Sequence, residues 1–327
     1  MATTTQARPD GQIPIAGLRI GHAEDPDVIT GTTVILPDAP GVASVHVVGG
    51  SPGTRETDLL NPQQTVEKVD AIVLSGGSAF GLDAATGVQA WLREAGRGFP
   101  VVGLRVPIVP AAILFDLNNG GNKQWDRYPP YRELGYQAAQ NASAERLTGR
   151  TGAGFGASTA TTPGGLGMAS ETLPCGATVM AIMAVNAAGS PRIGSSPNYW
   201  AAPFEQDAEF GGLGLPDPWP EDAQNVVTKA GHSTAGMNTT IGVVVTDAVI
   251  SKVEAKQIAV MAHDGFPRAL YPVHTPGDGD LLFVLSTGKR ELDRDTLSLL
   301  SLGTVAAGTV CRAIAQGVHA AIGQESA

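Results

Sequence analysis

Only two cysteines, Cys175 and Cys311, occur in 327 residues. They are too few and too far apart for a disulfide framework or a metal knuckle. Both lie in apolar sequence and are expected in the core. Charge is also sparse: 16% of residues are Asp, Glu, Lys or Arg, the formal net charge is −10, and basic residues form no cluster or aromatic-interleaved stripe. That balance argues against a nucleic-acid partner. The six histidines are scattered and make no H-E-x-x-H pair, so neither a metal nor a cofactor is expected. No run reaches 18 uninterrupted apolar residues, and Met1 to Asp10 lacks the apolar region of a secretory signal. No membrane partner is therefore expected, and the chain reads as soluble and cytoplasmic.

What is abundant is small and turn-forming: 42 Gly and 23 Pro beside a 43% hydrophobic fraction. Such a chain has ample apolar residues for a core and many tight turns. Its length fits two domains or one large α/β unit. Residues 1–15 are polar and expected to be loosely attached. Val34 to Val48 predicts two strands around the turn Pro37-Asp-Ala-Pro-Gly41, and Ala71 to Leu74 a short buried strand. Asp83 to Ala95 keeps helical spacing, and Tyr131 to Ala144 predicts a helix after Pro129-Pro130. Ala177 to Ala187, Ile241 to Ile250 and Leu281 to Ser286 read as central strands. Lys252 to Ala262 and Thr296 to Ala321 read as helices. Strands at front and back with helices after them suit two stacked sheets covered by helices. Pro191 to Thr228, rich in Gly, Pro and Asp, reads as a long surface excursion.

The most informative junction is Asn238-Thr239-Thr240. The small, polar, Gly-flanked stretch Gly231 to Met237 gives way there to the β-branched run Ile241 to Val245. A Thr in that position can attack the Asn238 carbonyl, cut the chain and become a new N-terminal residue. Its freed amine, with an ordinary pKa of about 7.7–8.0, then serves as a built-in base for its own hydroxyl. The same residues also read as an Asn turn followed by the start of a strand.

Two further positions offer matching chemistry. Asp278-Gly-Asp280 places two carboxylates on one face of an extended segment, where they can meet one target and share a proton. It reads equally as a solvated Pro-Gly-Asp-Gly-Asp turn. Asn186 ends the apolar strand Val179 to Val185, where an amide can donate to an oxyanion or make an Asx turn. Gly49-Gly-Ser-Pro-Gly53 fits the G-x-S-x-G pattern around Ser51, but Thr54 to Asn61 makes a poor start for the helix that this motif requires. Gly152-Ala-Gly-Phe-Gly156 lacks dinucleotide-binding spacing.

Seven segments in order resemble the self-processing amidohydrolase family of β-aminopeptidases, D-aminopeptidases and nylon-oligomer hydrolases. They are Gly31 to Pro37, Ser51 to Asp58, Leu74 to Leu82, Val106 to Pro110, Val185 to Gly189, Asn238 to Gly242 and Asp278 to Asp280. The resemblance implies a four-layer αββα sandwich of the N-terminal-nucleophile hydrolase type with its own connectivity. It implies cleavage between Asn238 and Thr239 into fragments 1–238 and 239–327 that together form one structural domain. Thr239 is then nucleophile and base, Asn186 the oxyanion donor, and Asp278 and Asp280 the groups that tune the amine. The implied substrates are short β- or D-peptides or 6-aminohexanoate oligomers, and the implied assembly is a homotetramer of processed units. Two departures stand out. Thr159 to Pro163 carries no Lys where nylon-oligomer hydrolases have one, and no Tyr lies near Phe115. An acyltransferase of related architecture and a catalytically silent family member are the alternatives.

Overall fold

The structure is a computed structural model that describes residues 11–229, 238–292 and 296–325. The polar residues 1–10 and the Gly231–Met237 loop lie outside the described residues. Numbered in chain order, the first sheet runs β1 (Leu18–Asp25), β2 (Thr30–Pro37), β6 (Ile72–Ser75), β9 (Ala111–Ile113), β4 (Thr54–Arg55). The second runs β10 (Gly165–Thr172), β11 (Thr178–Asn186), β12 (Thr239–Ala248), β13 (Leu281–Arg290), β3 (Gly41–Val47), β5 (Lys68–Val69). A separate hairpin joins β7 (Phe99–Val101) to β8 (Leu104–Val106). The helices are α1 (Ala84–Glu94), α2 (Tyr131–Gln140), α3 (Lys252–Ala262) and α4 (Thr296–Glu325).

Three apolar layers hold this together. Between the sheets, Ile35, Leu74 and Ala112 meet Ile182, Val243 and Phe283. Outside the first sheet, Val34, Leu36 and Val73 pack with Val88, Leu92 and Leu134 of α1 and α2. Outside the second, Val179, Met183 and Val284 pack with Ile258, Val310 and Ile314 of α3 and α4. Alternate residues of β11 therefore serve opposite layers, which is why its sequence is apolar throughout rather than alternating. The result is the αββα sandwich expected.

Three expectations are corrected. Ile13 and Ile15 are buried in the inter-sheet core, so residues 11–15 are not loosely attached. Cys175 is exposed and only Cys311 is buried, because Cys175 falls in the short connection between β10 and β11. The 191–228 excursion is partly interior. Tyr199 and Phe210 join the α3/α4 core, and Glu209 accepts from Arg312 Nη2 at 2.9 Å, a guanidinium only 4% exposed. Removing one partner of such a buried pair costs about 3–5 kcal/mol.

Helix α4 is long and apolar enough to cross a membrane by length and composition. Here its apolar side lies on the second sheet, and Arg312 interrupts it with a buried charge. The contact is close because the facing strand has little side chain: a Cβ on Gly167 of β10 would overlap the Ala313 carbonyl.

Candidate active site

Strand direction gathers the candidate residues. β12 and β13 are parallel, so their starts adjoin, and β11 is antiparallel to β12, so its end adjoins them too. Thr239 is the register partner of Asn186, and Asn238 pairs with Asp278 in a parallel bridge. Positions 186, 238–239 and 278–280 thus meet at one edge of the second sheet. All five sequence-predicted residues are buried there: Asn238 is 5% exposed, Thr239 4%, and Asn186, Asp278 and Asp280 1% each.

The Asn238–Thr239 peptide carries the closest contact. The Thr239 hydroxyl donates to the carbonyl oxygen of Asn238, the residue before it. The same oxygen accepts the Gly279 N–H at 3.0 Å. Gly279 has to be glycine, since a Cβ there would sit 2.7 Å from Thr239 Oγ1. The Asp278-Gly-Asp280 segment is in turn held by Gly49 and Ser51, whose N–H groups donate to the carbonyls of Asp280 (3.1 Å) and Asp278 (2.8 Å). Ser51 is exposed and followed by the two-residue strand β4 rather than a helix. That is not a nucleophile elbow.

The two carboxylates do not converge on one atom. Asp280 Oδ1 accepts the Thr240 N–H at 2.7 Å, and its Oδ2 faces His274. Asp278 Oδ2 accepts from Thr275 N (2.8 Å) and Thr275 Oγ1 (2.6 Å), and Oδ1 from Ala188 N at 3.4 Å. Burial, then the neighbouring Asp280, raises the Asp278 pKa above the usual carboxylate range, while the Thr275 and Ala188 donors oppose this. Among the described residues neither carboxylate is hydrogen-bonded to the Thr239 hydroxyl.

Asn186 is also more engaged than expected. Its Nδ2 donates to the Phe115 carbonyl at 2.8 Å, not to the Asn238 carbonyl. Its Oδ1 accepts from Ser158 N (3.1 Å) and from Lys229 Nζ (2.8 Å), which also reaches the Asn186 carbonyl at 3.1 Å. Lys229 escaped the sequence reading. The Thr159–Pro163 segment indeed brings no lysine, but Lys229 reaches the same site from another stretch. The available signal was that no other lysine occurs between Lys123 and Lys252. Its residue is half-buried while its ammonium is enclosed. Burial pulls the pKa down to about 7, and Asp278 and Asp116 oppose this. Asp116, whose own pKa burial raises, accepts from Thr30 Oγ1 (2.6 Å) and Gly77 N (2.7 Å).

Lys229 makes stability depend on pH in a definite direction. Between pH 7 and about 10.4, the ordinary lysine value, the unfolded chain holds this proton and the folded chain does not. The group's contribution to stability therefore rises with pH across that window. In a Thr239→Ala background, the stability difference between Lys229→Met and the parent should move in the parent's favour from pH 7 to pH 10. Urea denaturation at the two pH values measures it, and a pH-independent difference contradicts it.

Among the described residues no group of His, Cys, Asp and Glu is arranged to hold a metal ion. The model of Peptidase family S58 matches residues 13–325. The chain belongs to peptidase family S58. An "uncharacterized aminopeptidase" of Mycobacterium tuberculosis (strain ATCC 25618 / H37Rv) is 39% identical, over 93% of this chain and 92% of that relative. A 6-aminohexanoate-oligomer endohydrolase of Agromyces sp. (strain KY5R) is 31% identical, over 84% of this chain and 74% of the relative. The fold matches a Burkholderia sp. β-aminopeptidase with a TM-score of 0.69 at 20% identity, covering 97% of this chain and 88% of that one. It matches the L-aminopeptidase D-Ala-esterase/amidase of Ochrobactrum anthropi, described as a variant of the Ntn hydrolase fold, equally well at 18% identity and the same coverage. As an S58 member, this chain is a hydrolase acting on amide bonds, and the buried edge around Thr239 is its candidate active site.

Proposed function

We propose that this S58 chain is the precursor of a self-processing amide hydrolase whose nucleophile is Thr239. The supporting observation is the Thr239 hydroxyl lying against the Asn238 carbonyl while Gly279 N–H donates to that carbonyl oxygen. A buried hydroxyl of this kind meets its own preceding amide before any other. Attack by Oγ1 on the Asn238 carbonyl carbon puts negative charge on the oxygen that Gly279 already contacts. Breaking the C–N bond leaves an ester at Oγ1 and a free Thr239 amine. Water then releases the Asn238 carboxylate and restores the hydroxyl.

Fragments 1–238 and 239–327 would stay interleaved after the cut. β12 and β13 lie between β11 and β3 in the second sheet, so separating them means exposing the core. In the processed form, the Thr239 amine accepts the hydroxyl proton as Oγ1 attacks a substrate carbonyl, and water resolves the acyl-enzyme. Asp280, one residue from that amine through Thr240 N, holds and tunes it; Asp278 shares its charge. Asn186 offers the side-chain amide for the substrate oxyanion, with Lys229 and Ser158 fixing its other end. The substrates we propose are short linear amides: β- or D-peptides, or 6-aminohexanoate oligomers, in keeping with the names of the relatives. A homotetramer of processed units belongs to the same reading, supported by the family resemblance.

Supplying the processed protein with 6-aminohexanoate dimer and with β-alanine p-nitroanilide, each beside a tenfold excess of a primary amine, separates hydrolysis from acyl transfer. Mass spectrometry of the products should show the free acid from at least one of them. New acyl-amine products in place of acid would mean a transferase.

A further inference from the structure

His274 has no place in the reaction as derived so far, yet it is held in an uncommon way against one of its carboxylates. Its backbone lies at φ 56°, in the left-handed region that a non-glycine residue rarely adopts. In that conformation its N–H (3.1 Å) and its ring Nδ1 (2.9 Å) both reach the same oxygen, Oδ2 of Asp280. An ionised carboxylate only accepts, so Nδ1 carries the hydrogen. The opposite oxygen of Asp280 takes the Thr240 N–H at 2.7 Å. The ring packs against a stacked aromatic pair, Phe266 at 4.9 Å and His263 at 5.2 Å between centroids. His263 is fixed in turn by donating Nε2–H to the His46 carbonyl at 3.0 Å. Local strain of this kind persists only where surrounding contacts impose it, and it concentrates at working sites.

We infer that His274 is a positioning residue for amide cleavage, acting through Asp280. Two donors from one residue lock Oδ2, which fixes the plane of the carboxylate and aims Oδ1 at the N–H of Thr240, the residue after the nucleophile. The inference rests on the function proposed above.

Two substitutions separate the ring contact from the backbone conformation. Asparagine tolerates a left-handed backbone, and its Nδ2 stands where the histidine Nδ1 does. Glycine relieves the backbone and removes the side-chain donor. Self-cleavage of freshly synthesised chain, followed on denaturing gels, needs no added substrate. His274→Gly should still fold, yet cut itself roughly 10- to 100-fold more slowly, the loss expected for one hydrogen bond to a charged group. His274→Asn should recover most of that rate. Wild-type speed in the glycine variant, or equal slowness in both, overturns the inference while leaving the proposed function standing. If the glycine variant does not fold, His274→Ala replaces it, and an asparagine variant no faster than alanine overturns the inference. A wild-type chain that never cuts itself overturns both.

Discussion

Thr239→Ala is expected to give one uncut 327-residue chain with no measurable amide hydrolysis, a loss on the order of 10⁴-fold or more. The substitution removes the only hydroxyl among the described residues that donates to the Asn238 carbonyl. It also removes the amine that cleavage would create, so processing and turnover fail together. Folding should survive. Thr239 is a small buried residue on a strand whose ladder is made by the backbone, and one lost side-chain hydrogen bond is worth about 1 kcal/mol. Thr239→Ser keeps the oxygen and should still cut. Thr240→Ala is the informative control, because the Thr240 hydroxyl is buried with no hydrogen-bond partner among the described residues and should not be needed for the cut. Denaturing gels and intact mass decide the matter: two fragments from Thr239→Ala, or an uncut Thr240→Ala chain beside a cut wild type, would move the nucleophile elsewhere.

Asp280→Asn should also be damaging, slowing both self-cleavage and turnover by about 10²-fold or more, the usual scale for losing one preorganised electrostatic group. Asp280 is 1% exposed and accepts three hydrogen bonds, from Thr240 N, His274 N and His274 Nδ1. An amide of the same shape replaces one acceptor with a donor, which then faces another donor. It also removes the negative charge that accepts the Thr240 N–H, one residue from the nascent amine. Asp278→Asn should behave differently. The Asp278 pKa is already raised, by burial and then by Asp280, so its proton is retained to higher pH than an ordinary carboxyl's. A raised carboxyl pKa makes the ionised form destabilising, and that burden grows as pH climbs through the raised value. Stability of uncut Asp278→Asn chain relative to its parent should therefore improve from pH 4 to pH 7. Circular dichroism confirms that both variants fold, and timed gels give the rates. An Asp280→Asn chain that cuts at the wild-type rate would remove Asp280 from the mechanism.

Much of this was legible in the chain because the sandwich buries both faces of its central strands. β11 is apolar at every position but its two ends, and β12 holds the apolar run Ile241 to Val245, all buried. Helix α1 was legible from spacing and α3 from composition, and α3 carries a Ser251/Glu254 capping box that marks its start. By contrast β1 and β10 were missed. Leu18-Arg-Ile-Gly-His-Ala-Glu-Asp and Gly165-Leu-Gly-Met-Ala-Ser-Glu-Thr have weak strand propensity. Their glycines answer to the neighbouring helices: a Cβ on Gly21 would strike the Ala138 carbonyl of α2, as one on Gly167 would strike α4. Tertiary contact, not local preference, sets those strands.

The site divides in the same way. Asn186, Asn238, Thr239, Asp278 and Asp280 lie at strand ends that a parallel β12–β13 pair brings together, and their segments could be named beforehand. Which atom each would face could not. Extended spacing suggested that the two carboxylates share a target, yet Asp278 turns to Thr275 and Ala188 while Asp280 turns to Thr240 and His274. Lys229 sits at the end of an excursion with no periodicity, and His274 is a non-glycine residue in a backbone region that sequence does not announce.

The most direct measurement is N-terminal sequencing, with intact mass, of freshly purified wild-type protein after incubation. Two chains, the second beginning Thr239-Thr240-Ile241, are the expected result. A single chain that hydrolyses amides while retaining its original N-terminus and an unbroken Asn238–Thr239 bond would contradict it.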